Sequence, residues 1–147
     1  MKKILFAAFL MFAGVFTANA DDRERPINID QLPKNAQAFL AEHFNNLTVA
    51  FAVENLKYIG AEYEVVYTDR TEVDFSTDGE WESVERKYDA IPTSIIPAKI
   101  SDYVANMGMS GQYIKKIERG RYTWEIELSN GLEIKFDKQF NVIGYDD

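Results

Sequence analysis

Apolar and polar residues alternate through two stretches, "YEVVYTDRTEVDF" at 63–75 and "WEIELSNGLEIKF" at 124–136, and this period of two predicts half-buried antiparallel strands. Tyr63, Val65, Tyr67, Val73 and Phe75 share one face of the first pair. Tyr122, Trp124, Ile126, Leu128, Leu132, Ile134 and Phe136 share the matching face of the second. Cross-strand partners lie on the same face, so Leu128 should pair with Leu132 and Ile126 with Ile134 around a Ser129-Asn130-Gly131 loop, with Gly131 supplying a left-handed bulge. The same reasoning pairs Phe75 with Trp81 across Thr77-Asp78-Gly79, and Phe136 with Phe140 across Asp137, Lys138 and Gln139.

The period changes after Leu32-Pro33 and again after Ile91-Pro92. Ala36, Phe39, Leu40, Phe44 and Leu47 recur at helical spacing in the first case, and Ile96, Ile100, Tyr103, Val104 and Met107 in the second. Pro97 fits a helix capped at Thr93 or Ser94, because proline is tolerated in a first turn whose N–H groups lack partners. Beyond a linker, each helix precedes strand-like runs: "LKYIG", "AEYEVVY", "TEVDF" and "EWESVE", then "QYIKKIE", "RYTWEIEL", "LEIKF" and "FNVIGY". The expected fold is therefore α+β, a tandem repeat of a helix followed by an antiparallel β-meander with helices on one face of the sheet. The repeats would span 27–88 and 89–147, packed as one compact unit because sixty-odd residues alone bury a marginal core.

Residues 1–20, "MKKILFAAFLMFAGVFTANA", carry Lys2 and Lys3, an apolar run from Ile4 to Phe16 and a small-residue Ala18-Asn19-Ala20 site, the three parts of a secretory signal peptide. Cleavage is expected after Ala20. The apolar run falls short of the roughly 20 residues of a spanning helix, so the mature chain is expected in the periplasm or secreted, without membrane insertion. There is no cysteine, so neither a disulfide nor a lipidated cysteine is available, and packing alone must hold the fold. The chain has 16 Lys and Arg against 24 Asp and Glu, a net charge of −8, and becomes more acidic once Lys2 and Lys3 are removed. That balance argues against nucleic acid and anionic lipid as partners.

The order and duplication of these features, "LPKNAQAFLAEHF", "YEVVY" and "DFSTDGEW" followed by "IPTSIIPAKISDYV", "YTWEIEL" and "IKFDKQFNVIG", resemble the β-lactamase-inhibitor-like, PepSY-like proteins of Gram-negative bacteria. The resemblance covers residues 27–147. It implies secretion, an α+β fold of two repeats and no established enzymatic activity. The family is named for likeness in shape to secreted inhibitors that block a β-lactamase with sheet and hairpin loops. Those inhibitors are held by disulfides, which this chain lacks.

The stretch "DFSTDGEWESVE" places Asp74, Ser76, Asp78, Gly79, Glu82 and Glu85 at the first, third, fifth, sixth, ninth and twelfth positions of an EF-hand loop. Both flanks alternate as strands, however, and Thr77-Asp78-Gly79 suits a bulged hairpin. The segment is read first as a turn and second as a calcium site built from Asp74, Ser76, Asp78 and Glu85. His43 is the single histidine, so no histidine and cysteine cluster for zinc can form, and its place near a helix end suits a surface residue. No serine lies in a nucleophile elbow and no glycine loop cradles phosphate. Glu64, Glu72, Asp74, Glu125, Glu127 and Glu133 all project from the polar sheet face, where acidic pairs are more often solvated than catalytic.

These readings converge on a non-enzymatic binding or inhibitor-like module that contacts a periplasmic protein or peptide, with no cofactor. The candidate contact residues are Glu64, Asp69, Arg70, Glu72, Asp74, Glu125, Glu127, Asn130 and Glu133, and Tyr58, Tyr113 and Tyr145 are candidate anchors. The alternative is a small cation- or ligand-binding protein using the acidic 74–85 segment, with Ca²⁺ as the ion.

Overall fold

The computed structural model describes residues 23–147; the signal peptide and its cleavage after Ala20 lie outside the described residues. The strands are β1 (Glu24–Ile27), β2 (Val49–Leu56), β3 (Ala61–Tyr67), β4 (Thr71–Phe75), β5 (Trp81–Arg86), β6 (Ile114–Arg119), β7 (Thr123–Leu128), β8 (Glu133–Asp137) and β9 (Val142–Asp146). Helix α1 (Lys34–His43) lies between β1 and β2, and α2 (Ala98–Asn106) between β5 and β6. The nine strands form one antiparallel sheet in strict sequence order.

This corrects the expected tandem repeat of helix plus meander. The sheet runs unbroken from β5 into β6 through Ser83↔Glu118, Val84↔Ile117 and Glu85↔Lys116, so there is one open sheet carrying two helices of 10 and 9 residues. At about 1.5 Å per residue such helices are only about 15 Å long, too short for either to cover a sheet of its own. Side chains reinforce the β5–β6 junction. The Arg119 guanidinium lies 4.4 Å from the Trp81 ring centre and donates Nη2 to the Trp81 carbonyl at 2.7 Å.

Register holds the sheet together. Ile27, Ala52, Val65, Val73, Val84, Ile117, Ile126, Ile134 and Tyr145 are successive cross-strand partners from β1 to β9. Ala52 through Ile134 in that row are buried. Both helices pack on this face. Phe39 of α1 meets Phe75 edge-on at 5.8 Å, and Tyr103 of α2 meets Phe136 the same way at 5.6 Å. Ala36, Leu40, Phe44 and Ile100 complete the cluster. Among the described residues no helix is long and apolar enough to cross a membrane.

The expected pairings of Ile126 with Ile134 and Phe75 with Trp81 are present. Leu128 donates its amide to the Leu132 carbonyl. Four details differ. Phe136 pairs with Val142 rather than Phe140, because the Asp137 carboxylate accepts the Gln139 and Asn141 amides and holds a longer turn. Lys57–Gly60 of the "LKYIG" run is a turn, with Lys57 N donating to Gly60 O and Gly60 at φ 78°, and the strand is Val49–Leu56, whose Val and Phe suit a pleated surface and which pairs with β3 along its length and with β1 over Ala52–Asn55. Thr93–Ile95 forms a separate 3-10 turn, and α2 begins only after Pro97, since proline drives the preceding Ile96 to an extended conformation (φ −84°, ψ 126°). Tyr122, placed on the buried face by alternation, precedes β7 and is exposed.

Glycine is required at two hairpin tips, Gly79 (φ 81°) and Gly131 (φ 93°). A Cβ at Gly79 would overlap the Asn35 side chain and Pro33 at the start of α1, whereas Gly131 is open. Gly131→Ala should therefore cost only the left-handed penalty of about 1–2 kcal/mol, and Gly79→Ala clearly more, measured by urea unfolding. Equal losses would show that Asn35 and Pro33 yield freely.

Candidate functional site

The register that buries the apolar row lays two further rows across the opposite, helix-free face. One runs Pro26, Val53, Glu64, Asp74, Ser83, Glu118, Glu125, Lys135, Gly144. The other runs Phe51, Val66, Glu72, Glu85, Lys116, Glu127, Glu133, Asp146. Carboxylates therefore stand directly opposite carboxylates at Glu64↔Asp74, Glu72↔Glu85, Glu118↔Glu125, Glu127↔Glu133 and Glu133↔Asp146, an arrangement that is destabilising unless compensated.

Compensation is uneven. Around β6–β8 it is good: Lys115 meets Glu127 at 2.7 Å, Lys116 meets Glu118 at 3.1 Å and Glu85 at 3.8 Å, and Lys135 meets Glu125 at 3.9 Å. Burial pushes the Lys116 ammonium down, but Glu118, Glu85 and Glu127 outweigh it and hold the group above its usual range. On β3 and β4 no ion pair forms with Glu64, Glu72 or Asp74 among the described residues, and oxygens of all three lie within 4.8 Å of one another. Oδ1 of Asp74 is buried without a hydrogen-bond partner. Burial first, then Glu72 and Glu64, push the Asp74 carboxyl up to about 8; burial first, then Glu72 and Glu24, push Glu64 up to about 7. Glu72 is raised too, by burial and then by Glu85. Three partly buried hard-oxygen donors suit a divalent cation of the calcium or magnesium type.

The predicted site residues thus separate. Glu64, Glu72 and Asp74 come together on β3–β4, while Glu125 and Glu127 share the face but meet lysines, and Glu133 stands between Glu127 and Asp146 with no ion pair among the described residues. Asp69, Arg70 and Asn130 lie in turns at one end of the sheet; Asn130 accepts the Leu132 amide at 3.1 Å. Of the proposed calcium loop, Ser76 donates its hydroxyl to Asp78 at the β4–β5 turn, Glu85 faces Lys116, and Asp78 and Glu85 do not join the Asp74 group. His43 is not the surface residue expected: it packs on Phe39 at 4.7 Å, and its Nδ1 lies 3.2 Å from Ser94 Oγ, joining the end of α1 to the turn before α2. Tyr58 is almost fully exposed, whereas the Tyr145 hydroxyl meets that of Tyr103. Sequence reasoning missed Lys116 as the hub of the charged rows, because its place opposite Glu85 depends on the pairing of β5 with β6 across α2, which alternation within "IKKIER" does not reveal.

A family described as "Putative beta-lactamase-inhibitor-like, PepSY-like" matches residues 61–144. A solved structure of a "putative periplasmic protein" of the DUF2874 family from Bacteroides vulgatus is 40% identical, covers 88% of this chain and 100% of its own, and superposes with a TM-score of 0.81. One from Bacteroides thetaiotaomicron, described as a "putative calcium-regulated periplasmic protein", is 39% identical over 88% and 100% with the same TM-score of 0.81. A second Bacteroides vulgatus structure, a "putative periplasmic protein of unknown function", is 29% identical over 84% and 99% with a TM-score of 0.78. No curated protein matches the chain.

The raised carboxyls fix a sign. A folded-state pKa above the unfolded value means the fold favours the protonated form, so this contribution is fully present below about pH 4 and is lost as pH rises through 7 to 8. Without divalent cations, the melting midpoint should fall between pH 5.5 and 8.5. Asp74→Asn should flatten that slope and stabilise the protein at pH 8.5 by on the order of 2 kcal/mol. A midpoint that rises with pH over this range would contradict the assignment.

Proposed function

This chain belongs to the putative β-lactamase-inhibitor-like, PepSY-like family, and from that premise we propose that it is an exported, non-enzymatic periplasmic protein whose polar sheet face binds calcium at Glu64, Glu72 and Asp74. The observation that carries the reading is the buried, unpartnered Asp74 oxygen beside two further carboxylates. Three mutually repelling carboxylates held together with no ion pair among the described residues, and only Lys116 drawing Glu72 and Asp74 partly back, are costly, and a hard cation with flexible coordination offsets that repulsion. Zinc is disfavoured, because the cluster offers neither imidazole nor thiolate. Description of a 39% identical relative as calcium-regulated supports the same ion.

A second reading, contact with a periplasmic protein or peptide, draws on a different part of the molecule. Glu125 and Glu127 are matched by lysines, so the acidic face alone is a poor docking surface. The β2–β3 turn is a better one: Tyr58 and Ile59 are 95% and 83% exposed. The Thr77 hydroxyl donates to the Ala61 carbonyl and accepts the Ala61 amide, fixing this turn against the β4–β5 turn. A rigid tip bearing two large apolar side chains suits insertion into a partner's cleft.

Thermal unfolding at pH 8 with millimolar CaCl₂ against a chelator control tests the cation reading. Calcium at about 100 times its Kd stabilises by about 2.7 kcal/mol, which is a rise of several degrees for a domain of this size. The rise should vanish in Asp74→Asn and persist in Asp78→Ala. Loss in Asp78→Ala alone would move the ion to the hairpin turn, and no rise in the unaltered protein would end the reading.

A further inference from the structure

Four hairpins close in the same way. At β3–β4, β4–β5, β7–β8 and β8–β9 the amides of Arg70, Gly79, Gly131 and Phe140 bond back to the carbonyls of Tyr67, Ser76, Leu128 and Asp137, and the donor residue in each has a left-handed backbone. Glycine fills two of these positions without strain. Arg70 (φ 66°) and Phe140 (φ 65°) fill the others against the steric preference of any residue with a Cβ. For Phe140 the compensation is visible, since its ring packs on Trp124 at 5.8 Å. Arg70 has none: its side chain is exposed and makes no hydrogen bond or ion pair with any described residue.

The surroundings of Arg70 are built. It lines a cavity of about 260 Å³ between the β3–β4 turn and the segment that follows β5. Behind it, Arg86 is fully engaged, with Nη2 reaching Asp69 at 3.1 Å and Asp89 at 3.4 Å, Nη1 donating to the Ala90 carbonyl and Nε to the hydroxyl of fully buried Thr71. Both acids of the cavity are thereby held back against Arg86, which offsets one of their two negative charges. Arg70 and Lys87 form no ion pair with any described residue, so the lining of three cations and two carboxylates carries one net positive charge, and the Lys87 ammonium stands 5.6 Å from the ring centre of the exposed Tyr88.

We propose that this cavity binds the carboxylate of a small ligand, with the Arg70 fork as its bidentate donor, Lys87 as the second charge and Tyr88 as the wall for the adjoining apolar part. The volume fits a short group and not an extended chain, so the carboxylate belongs either to a free small acid or to the end of a peptide. The site lies in the turns at one end of the sheet and does not depend on the cation site.

The test is a ¹⁵N–¹H NMR titration of the protein purified from the periplasm, following the Arg70 Nε–H and the amides of residues 68–71 and 86–89. N-acetyl-alanyl-alanine, its C-terminal amide and succinate are the probes. Saturable shifts with the free-acid peptide but not its amide would assign a peptide terminus, and shifts with succinate alone a free acid. Arg70→Gly should weaken either by about tenfold or more while leaving the melting midpoint unchanged or higher, because the strain is relieved. Binding retained in Arg70→Gly, a lowered midpoint in that variant, or no shift with any probe would overturn the proposal.

Discussion

A single line of cross-strand apolar contacts sets everything else in this structure. From Ile27 on β1 to Tyr145 on β9, each strand contributes one side chain to the same row, and its central members are sealed under α1 and α2. Strand side chains alternate with a period of two, so slipping a strand by one residue would turn its apolar side chain to water and, on β3, β4 and β6 to β8, bring a charge under the helices. The row therefore fixes the register of all nine strands at once. It fixes the composition of the opposite face as well, since whatever follows or precedes a row member in sequence must stand there.

The acidic cluster is a consequence of that constraint. Glu64 precedes Val65, and Glu72 and Asp74 flank Val73; once Val65 and Val73 are paired, the three carboxylates have no freedom to separate. Farther along the sheet the same logic brings Lys116 and Lys135 into the charged rows, and repulsion there is relieved. Electrostatic tension is thus concentrated on β3 and β4, where ionisation is suppressed most.

What could be read from sequence was what depends on neighbours along the chain. Alternation placed Val65, Val73, Ile126 and Ile134 in the core and the six acidic residues on the other face, and the glycines at 79 and 131 marked their turns. Long-range pairing could not be read: nothing within "WESVER" or "IKKIER" says that these strands meet across α2, so two repeats were expected where one sheet exists. The Val49–Leu56 strand falls in the stretch read as a linker, because "VAFAV" lacks the apolar–polar alternation of a half-buried strand. For the site, residue types and face were legible, but the burial of Asp74 and the lack of a partner for Arg70 among the described residues arise from packing.

Strict sequence order has a further consequence. The chain enters the sheet at one edge, on β1, and leaves it at the other, on β9. With neighbouring strands about 4.8 Å apart, the two ends are separated by roughly 40 Å measured along the sheet. The sheet thus holds its first and last strands apart, with every other strand between them. A pull between those ends would load the ladder across its strands, so that it peels one strand at a time from the edges and the middle strands, β4 to β6, are the last to part.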